Sequence, residues 1–278
     1  MNNIGTLHLW DKNFGSDQAR ECELLIKVCA NRLSYAILGE QSSTLKVLFD
    51  TVLSHPLSET WDGIKQHYNY INYSYAKVKI AVETFNFIFL PSDIYSTDLE
   101  PVYQHFVRSS IGGQSINNSI GNGQINTIGS VDSNYIGPIA EMFEHKALYT
   151  QAEPLIEGGM EYPKNRQTLL LQFNTGTFEA LLLSGRDILF YNIFAAPTAD
   201  DFNYFLLLII QQMGIKPTET SVLVAGEIEK YSENYRRVLK YFGSISFADS
   251  SRYCTYSDPF KLVQPHQFFS LLSLTLCE

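Results

Sequence analysis

The sequence predicts an α/β fold in which two similar halves each carry a mixed sheet covered by helices, with a cleft between the halves. The chain has 278 residues, of which 45% are apolar and 18% charged, so it can bury a large core. Three strand-like runs followed by an amphipathic helix open the chain, and the same order returns about 145 residues later. A three-strand meander followed by alternating helices and strands, present twice, is typical of a duplicated ribonuclease-H-like fold.

The first copy begins with three runs that read as strands joined by short polar segments, at residues 23–28, 33–38 and 45–53. Apolar side chains then recur at spacings of three and four, the pattern of an amphipathic helix, at Trp61, Ile64, Tyr68 and Ile71. Residues 76–82 predict a fourth strand. Leu24 aligns with Leu169 and Leu33 with Phe178, although the two copies share negligible sequence identity.

Two insertions are needed to match the rest of the first copy to the second. Residues 85–90 predict an extra strand, and a helix carries the apolar residues Leu99, Val102, Tyr103 and Phe106. The segment Ser109 to Gln124 contains four glycines and many small polar residues, so we expect a mobile surface loop there. A strand at residues 125–131 follows and takes the place of the fifth strand of the copy.

The second copy contains three strands between residue 166 and the apolar helix Phe202 to Met213, then a strand at 221–225. A helix follows with one apolar face, formed by Tyr231, Tyr235, Val238, Leu239 and Phe242. A strand at 244–248 and a helix around 266–274 complete the order. We therefore predict one ribonuclease-H-like subdomain at residues 1–160 and a second at residues 161–278.

Charge and cysteine content exclude several classes of function. The formal net charge is −9 and no basic stripe is present, so nucleic acid is not expected as a partner. The apolar run Phe202 to Met213 is shorter than the roughly 20 residues of a membrane span. No secretory signal is visible at the N-terminus, and four cysteines without C-x-x-C spacing indicate neither a zinc site nor a disulfide framework. These features predict a cytoplasmic protein with buried thiols.

Most short motifs have structural explanations. Residues 112–124 contain G-x-G, but no strand-to-helix transition encloses it, so it is not a nucleotide-binding motif. Thr198 and Asp201 have the spacing of a capping box at a helix start. His266 follows Pro265 before the last helix, where packing or capping explains it, and no histidine pair is spaced to bind metal.

The segments 191–217 and 222–228, together with the ending from Val263, resemble an uncharacterised family of unknown function from the Bacteroidetes group of bacteria. The resemblance spans nearly the whole chain and is clearest from Asn174 onward. It implies an actin-like ATPase fold, shared with actin, sugar kinases and heat-shock chaperones, and it implies no established activity. In active members of that superfamily, one strand-turn-strand loop per half holds the phosphates, and an acidic residue in each turn positions metal and water.

The equivalent turns here are residues 29–32 and 174–177, and neither contains a carboxylate. Metal held by carboxylates is hard to replace in phosphoryl transfer, so the site is expected to be degenerate and no cofactor is expected. If a nucleotide binds, the resemblance and the turn chemistry place it at Asn174, Thr175, Gly176, Thr177, Gly226 and Glu227. A tight hairpin turn explains Gly176 more simply than ligand contact does.

Two functions remain open at the level of sequence. The first is a non-catalytic binding or scaffold protein that uses its surface or cleft for a protein partner or small ligand. The second is a nucleotide-binding switch or weak ATPase that binds ATP with Mg²⁺ and takes its acidic residues from other positions, such as Asp11, Glu179 or Glu227. The missing turn carboxylates favour the first. The sequence does not specify an oligomeric state.

Overall fold

A computed structural model describes residues 5–39, 43–107, 113–162 and 167–278. The strands of its first part are β1 (Thr6–Trp10), β2 (Cys22–Cys29), β3 (Arg32–Gly39), β4 (Thr44–Val52), β5 (Lys77–Val82), β6 (Phe87–Pro91), β7 (Gln114–Ile120), β8 (Ile125–Val131) and β9 (Ala147–Thr150). The later strands are β10 (Gln167–Asn174), β11 (Thr177–Ser184), β12 (Asp187–Ala195), β13 (Thr220–Gly226) and β14 (Ser246–Phe247). The α-helices are α1 (Ser16–Ala19), α2 (Leu57–His67), α3 (Glu100–Tyr103), α4 (Ser133–Met142), α5 (Ala152–Met160), α6 (Ala199–Gln212), α7 (Glu233–Phe242) and α8 (Phe269–Ser273).

The predicted duplication is confirmed by the two main sheets. One sheet has the order β1-β4-β3-β2-β5-β9 and the other has the order β12-β11-β10-β13-β14. In each half the first strand of the meander pairs antiparallel with the second and parallel with the strand after the helix. The meander strands are apolar on both faces because helices cover both: Leu24 and Ile26 pack into one core cluster, and Leu25 packs into another.

The prediction of a loop from Ser109 to Gln124 is wrong over its second part. Residues 109–112 lie outside the described residues, but 114–120 form strand β7, which pairs with β8. Ile116 and Ile120 point into the core while Ser115, Asn117 and Ser119 are exposed, which is the period-two pattern of a half-buried strand. The surrounding asparagine, serine and glycine residues concealed this pattern in the sequence.

The assignment of residues 125–131 as the fifth strand of the first copy is also wrong. That segment is β8, and it lies in a separate three-stranded sheet with the order β6-β8-β7. The fifth strand is instead β9, which pairs in parallel with β5 as β14 pairs with β13. A third sheet is therefore inserted into the first half.

Three predicted helical faces differ from the structure. Helix α2 ends at His67, so Trp61 and Ile64 lie on it as predicted but Tyr68 and Ile71 follow it. Helix α3 is a single turn, so Leu99 precedes it, Phe106 follows it, and both side chains are exposed. On α7, Tyr235, Val238 and Phe242 are buried as predicted, but Leu239 is 38% exposed and Tyr231 lies before the helix. The core-facing stripe of α7 is narrower than the run of apolar residues and does not include Leu239.

Helices α5 and α8 pack against each other where the two halves meet. This contact is close because α5 carries Gly158, where a Cβ would lie 2.2 Å from the Ser273 Oγ atom of α8. The next residue, Gly159, lets α5 approach strand β11, where a Cβ would lie 2.8 Å from a Leu181 methyl carbon. Residues after 250 also pack onto the first sheet, where Phe260 and Leu272 are fully buried. The division of the chain at residue 160 stays a prediction.

Several local predictions are confirmed. Thr198 and Asp201 form a capping box, in which the Thr198 Oγ1 atom accepts from the Asp201 N–H at 3.2 Å. His266 is buried, packs against Phe247 with ring centroids 4.3 Å apart, and hydrogen-bonds through Nε2 to the Ile228 carbonyl oxygen at 3.0 Å. The four cysteines are buried free thiols. Among the described residues, no helix has both the length and the apolar character that crossing a membrane requires.

Candidate functional site

The two predicted turns lie on either side of a cleft between the halves. Strands β2 and β3 are joined by Ala30 and Asn31, and strands β10 and β11 by Thr175 and Gly176. Both are two-residue hairpin turns, and Gly176 has the positive φ of 76° that favours glycine there. A cavity of about 170 Å³ lies between them and is lined by residues of both halves. The structure therefore brings together the two turns that the sequence identified.

Arg32, the last residue of the first turn, connects the two halves. Its Nε atom donates to the Asp50 Oδ1 atom at 2.8 Å, and its Nη2 atom donates to the second oxygen of the same carboxylate. Its Nη1 atom lies 2.9 Å from the Glu227 Oε1 atom of the other half. The hydrogen bond to Asp50 is the main cause that raises the pKa of Arg32. The guanidinium group is thus occupied by two carboxylates of the protein itself.

Lys27 is the second cation of the cleft, and it is buried in strand β2. Its ammonium group donates to the Asn174 Oδ1 atom and to the Ser270 Oγ atom, each at 3.2 Å. Buried charges are stable in proteins only when they are paired or hydrogen-bonded. Lys27 therefore holds the turn at Asn174 and helix α8 against the first sheet.

The polar side chains of the turn at 174–177 are all bound within the protein. The Thr175 hydroxyl donates to the Glu227 carboxylate at 2.9 Å, and the Thr177 hydroxyl donates to the Glu83 Oε1 atom at 2.7 Å. The Asn174 amide donates to the Glu179 Oε1 atom at 3.1 Å. The candidate residues of this turn therefore meet in one place, together with Glu227.

Glu179 lies directly behind the turn and is fully buried. Its second oxygen accepts from the Tyr191 hydroxyl at 2.8 Å. Burial raises the pKa of Glu179 to about 7, and this effect outweighs the opposing attraction of Lys27. Asp11, the third alternative acidic residue, pairs instead with Lys46 at 3.2 Å.

Gly226 has a packing role at the end of strand β13. Its φ is 79°, and a Cβ atom there would lie 2.0 Å from the Phe173 carbonyl oxygen. The Gly226 N–H donates to the His266 carbonyl oxygen, and the next N–H, of Glu227, donates to the Phe173 carbonyl oxygen. Only glycine lets strand β13 leave the sheet so close to strand β10.

Four side chains that were not predicted from the sequence complete the polar contacts of the cleft: Lys27, Asp50, Glu83 and Ser270. A usable signal exists for two of them, because Lys27 lies between Ile26 and Val28 and Asp50 follows the apolar run Val47 to Phe49. A buried charge is expected to have a partner, but the partner of Lys27 lies 147 residues away. Carboxylates are thus present in the cleft, although the turns contain none, and each one accepts hydrogen bonds from other residues of the chain.

Neither a metal site nor an activated nucleophile is found in the cleft among the described residues. No group of three or more His, Cys, Asp or Glu side chains in the described part of the chain is arranged to hold a metal ion. Cys29 lines the cleft, but burial raises the pKa of its thiol well above the ordinary value, so the reactive thiolate is disfavoured.

Removal of the Arg32 side chain tests whether its ion pair with Asp50 stabilises the fold. We expect Arg32→Ala to lower the free energy of unfolding by about 2 kcal/mol, because Asp50 would stay buried without its cation. The measurement is urea unfolding followed by circular dichroism. Arg237→Ala is the matched control, since Arg237 pairs with Asp200 and Glu233 on the surface and its loss should change little. Equal effects of the two substitutions would contradict a structural role for the Arg32 pair.

Comparisons with known proteins establish the family and the fold. The sequence profile of a family described as "Protein of unknown function (DUF3822)" matches residues 11–245. A Bacteroides thetaiotaomicron protein with actin-like ATPase fold and unknown function is similar in structure, with a TM-score of 0.76 and 16% identity over 95% of this chain and 99% of that one. A chain of the PilM-PilN type IV pilus biogenesis complex is similar with a TM-score of 0.63 and 12% identity, over 92% and 98% of the two chains. The search of curated proteins found no match. The fold is therefore the actin-like ATPase fold.

Proposed function

The chain belongs to the DUF3822 family of proteins of unknown function, and we propose that it is a non-catalytic binding or scaffold protein on a degenerate actin-like ATPase frame. One observation supports this proposal: the two cations of the cleft are already bound to other side chains of the protein. Arg32 is bound to Asp50 and Glu227, and Lys27 is bound to Asn174 and Ser270. A nucleotide phosphate would have to displace these partners before it could use either cation.

Catalysis would meet a second obstacle in the same cleft. Phosphoryl transfer needs metal held by carboxylates and a water molecule oriented for attack. Here Glu83 and Glu227 each accept a hydrogen bond from a threonine of the turn, and Glu227 is also paired with Arg32. No cofactor is therefore part of the proposal.

A protein partner is the kind of ligand that we propose for this frame. The similar structure that contains PilM and PilN is a complex, so this fold can be part of a protein assembly in that case. Nucleic acid is not proposed as a partner, because the net charge is −9. We also propose a cytoplasmic location, which the four free, buried thiols support.

Thermal melting with Mg-ATP tests the proposal. We expect no clear rise in melting temperature at millimolar Mg-ATP and no phosphate release above background. A ligand present at 100 times its dissociation constant would stabilise the fold by about 2.7 kcal/mol, which a melting curve detects readily. The comparison variant is Gly176→Val, because a β-branched residue disfavours the positive φ of 76° that this turn requires. A rise in melting temperature that this variant abolishes would overturn the proposal, and steady phosphate release in addition would identify an ATPase.

A nucleotide-binding switch is the second candidate, and one observation favours it. The turn at 174–177 also borders a second cavity of about 300 Å³, on the side of Thr198 and Asn234. In this alternative, ATP with Mg²⁺ would contact Gly176 and Thr177 through that cavity. The melting experiment separates the two candidates, because binding without hydrolysis would give the temperature rise but no phosphate release.

A further inference from the structure

The two halves differ at the outer edge of their meanders. In the first half, strand β4 is covered by β1, which pairs antiparallel with it from Thr6 to Trp10. In the second half, the equivalent strand β12 is the last strand of its sheet and pairs with β11 alone in the described part of the chain. The duplicated fold thus has a strand position filled in one half and open in the other.

Strand β1 fills, in the first half, the position that is open beside β12 in the second half. It runs antiparallel to β4 and places His8 against Phe49 of β4 and Tyr68 at the end of α2, with ring centroids 6.1 and 4.9 Å apart. On the opposite face, Leu7 and Leu9 pack on another core cluster. The added strand therefore completes the backbone hydrogen bonds of β4 and covers aromatic side chains beside it.

Strand β12 and helix α6 present the corresponding surface without a cover. Phe194 of β12 packs on Phe205 of α6 with ring centroids 4.8 Å apart, and Tyr204 continues this aromatic row at 5.2 Å from Phe205. Tyr204 is 62% exposed and Leu189 is 45% exposed. An apolar surface beside an unpaired strand is the combination that a further strand would bury.

Strand β12 has few of the features that prevent an edge strand from pairing with another strand. It is nine residues long, and residues 188–195 contain no lysine, no proline and no charged side chain. The one irregularity of its pairing with β11 lies between Leu182 and Leu183, near the start of β12, so Phe190 to Ala195 pair regularly with β11. At the edge, the Ile193 N–H donates to the Asn192 Oδ1 atom at 2.9 Å, a side-chain bond that an added strand would replace. Two antiparallel copies of this segment would bring no like charges opposite each other.

We propose that β12 pairs antiparallel with β12 of a second copy of the chain, which joins two five-stranded sheets edge to edge. A two-fold axis at the edge makes the two strands antiparallel, the direction that β1 takes on β4 in the first half. The same axis places the aromatic side chains of one copy over those of the other. The dimer does not depend on the proposed function, because no residue of β12 lines the cleft between the halves.

Sedimentation of the full chain over a wide dilution series tests the dimer. We expect the unmodified protein to sediment as a dimer that dissociates on dilution. Asn192→Lys should weaken the dimer by about tenfold or more, because Asn192 is exposed near the middle of the strand and two lysines would face each other across the axis. Leu262→Lys is the control: Leu262 is 83% exposed outside the strand, so its substitution should leave dissociation unchanged. A monomer at every concentration, or a dimer insensitive to Asn192→Lys, overturns the proposal.

A cross-linking experiment gives an answer that does not depend on the stability of the lysine variant. Because Cys22, Cys29, Cys254 and Cys277 are buried, a cysteine placed at position 192 is the readily accessible thiol of the described surface. With a short bis-maleimide, Asn192→Cys should give a covalent dimer, whereas Leu262→Cys and the unmodified protein should not. A covalent dimer from Leu262→Cys in the same yield, or none from Asn192→Cys, also contradicts pairing through β12.

Discussion

Replacement of Gly226 by alanine is expected to lower the free energy of unfolding by about 4 kcal/mol. The φ of Gly226 is 79°, and the added Cβ would lie 2.0 Å from the Phe173 carbonyl oxygen and 2.2 Å from the Gln172 Nε2 atom. The carbonyl cannot rotate away, because it accepts the hydrogen bond of the Glu227 N–H at 2.9 Å. Strand β13 would therefore have to move away from β10. Urea unfolding of both proteins measures the difference.

Gly176→Ala is the matched control for this prediction. Gly176 has nearly the same φ, 76°, but no atom lies within 4 Å of the position of its Cβ. Its substitution should cost only about 1 kcal/mol, the cost of a positive φ in a residue with a side chain. Similar losses in both variants would mean that φ alone determines the cost and that the close approach at Gly226 contributes nothing. A larger loss at Gly226 supports a packing role for a glycine that the sequence assigned to ligand contact.

The sequence predicts the two halves well because their strands have a strong local signal. Leu24, Ile26 and Val28 alternate with residues that pack on the opposite face, and the same apolar run returns at Leu169 to Phe173. Strand β7 has no such signal, since Ile116 and Ile120 are its two apolar residues and are separated by three small polar ones. Its pairing with β8 supplies the backbone hydrogen bonds that fix it as a strand.

The sequence predicts where the two turns of the candidate site lie, but it does not predict which side chains bind to each other across the cleft. The turns at 29–32 and 174–177 are local features of two hairpins, so their spacing reveals them. The contacts that close the cleft join residues far apart in the chain, such as Arg32 and Glu227, and no local pattern encodes such a pair. The absence of carboxylates from the turns was read correctly from the sequence, whereas the carboxylates at Asp50 and Glu83 reach the cleft from other elements.

The stability of the fold is expected to fall as the pH rises from about 5 to about 8. The main cause is Glu153, which is fully buried at the start of α5. Burial raises its pKa to about 8, and this outweighs the hydrogen bonds that it accepts from the Thr150 N–H at 2.6 Å and the Asn118 amide at 3.1 Å. Glu179, with a pKa raised to about 7 by burial, acts in the same direction.

The sign of the effect follows from proton binding in the two states. The unfolded chain releases these protons near the ordinary value of 4.5, whereas the folded chain keeps them until pH 7 to 8. Between these values the folded state binds more protons, so its stability is full below about pH 4.5 and is lost as the pH rises through the folded pKa values. A shift of this size in Glu153 alone corresponds to about 5 kcal/mol.

Urea unfolding at several pH values measures this decline in two single variants, one at Glu153 in α5 and one at Glu161 directly after α5. The comparison distinguishes the effect of Glu153 from the effect of the protein's net negative charge. Glu153→Gln removes the titrating group and retains its shape, so the decline in stability above about pH 5 should become much shallower. Glu161→Gln also removes one negative charge, but its side chain is 49% exposed, so the decline should remain as in the unmodified protein. If both variants flatten the profile equally, repulsion among the excess acidic residues would explain the pH dependence. A profile that is flat or rises toward pH 8 would mean that Glu153 is ionised in the folded state at little cost, and that the hydrogen bonds from Thr150 and Asn118 compensate its burial.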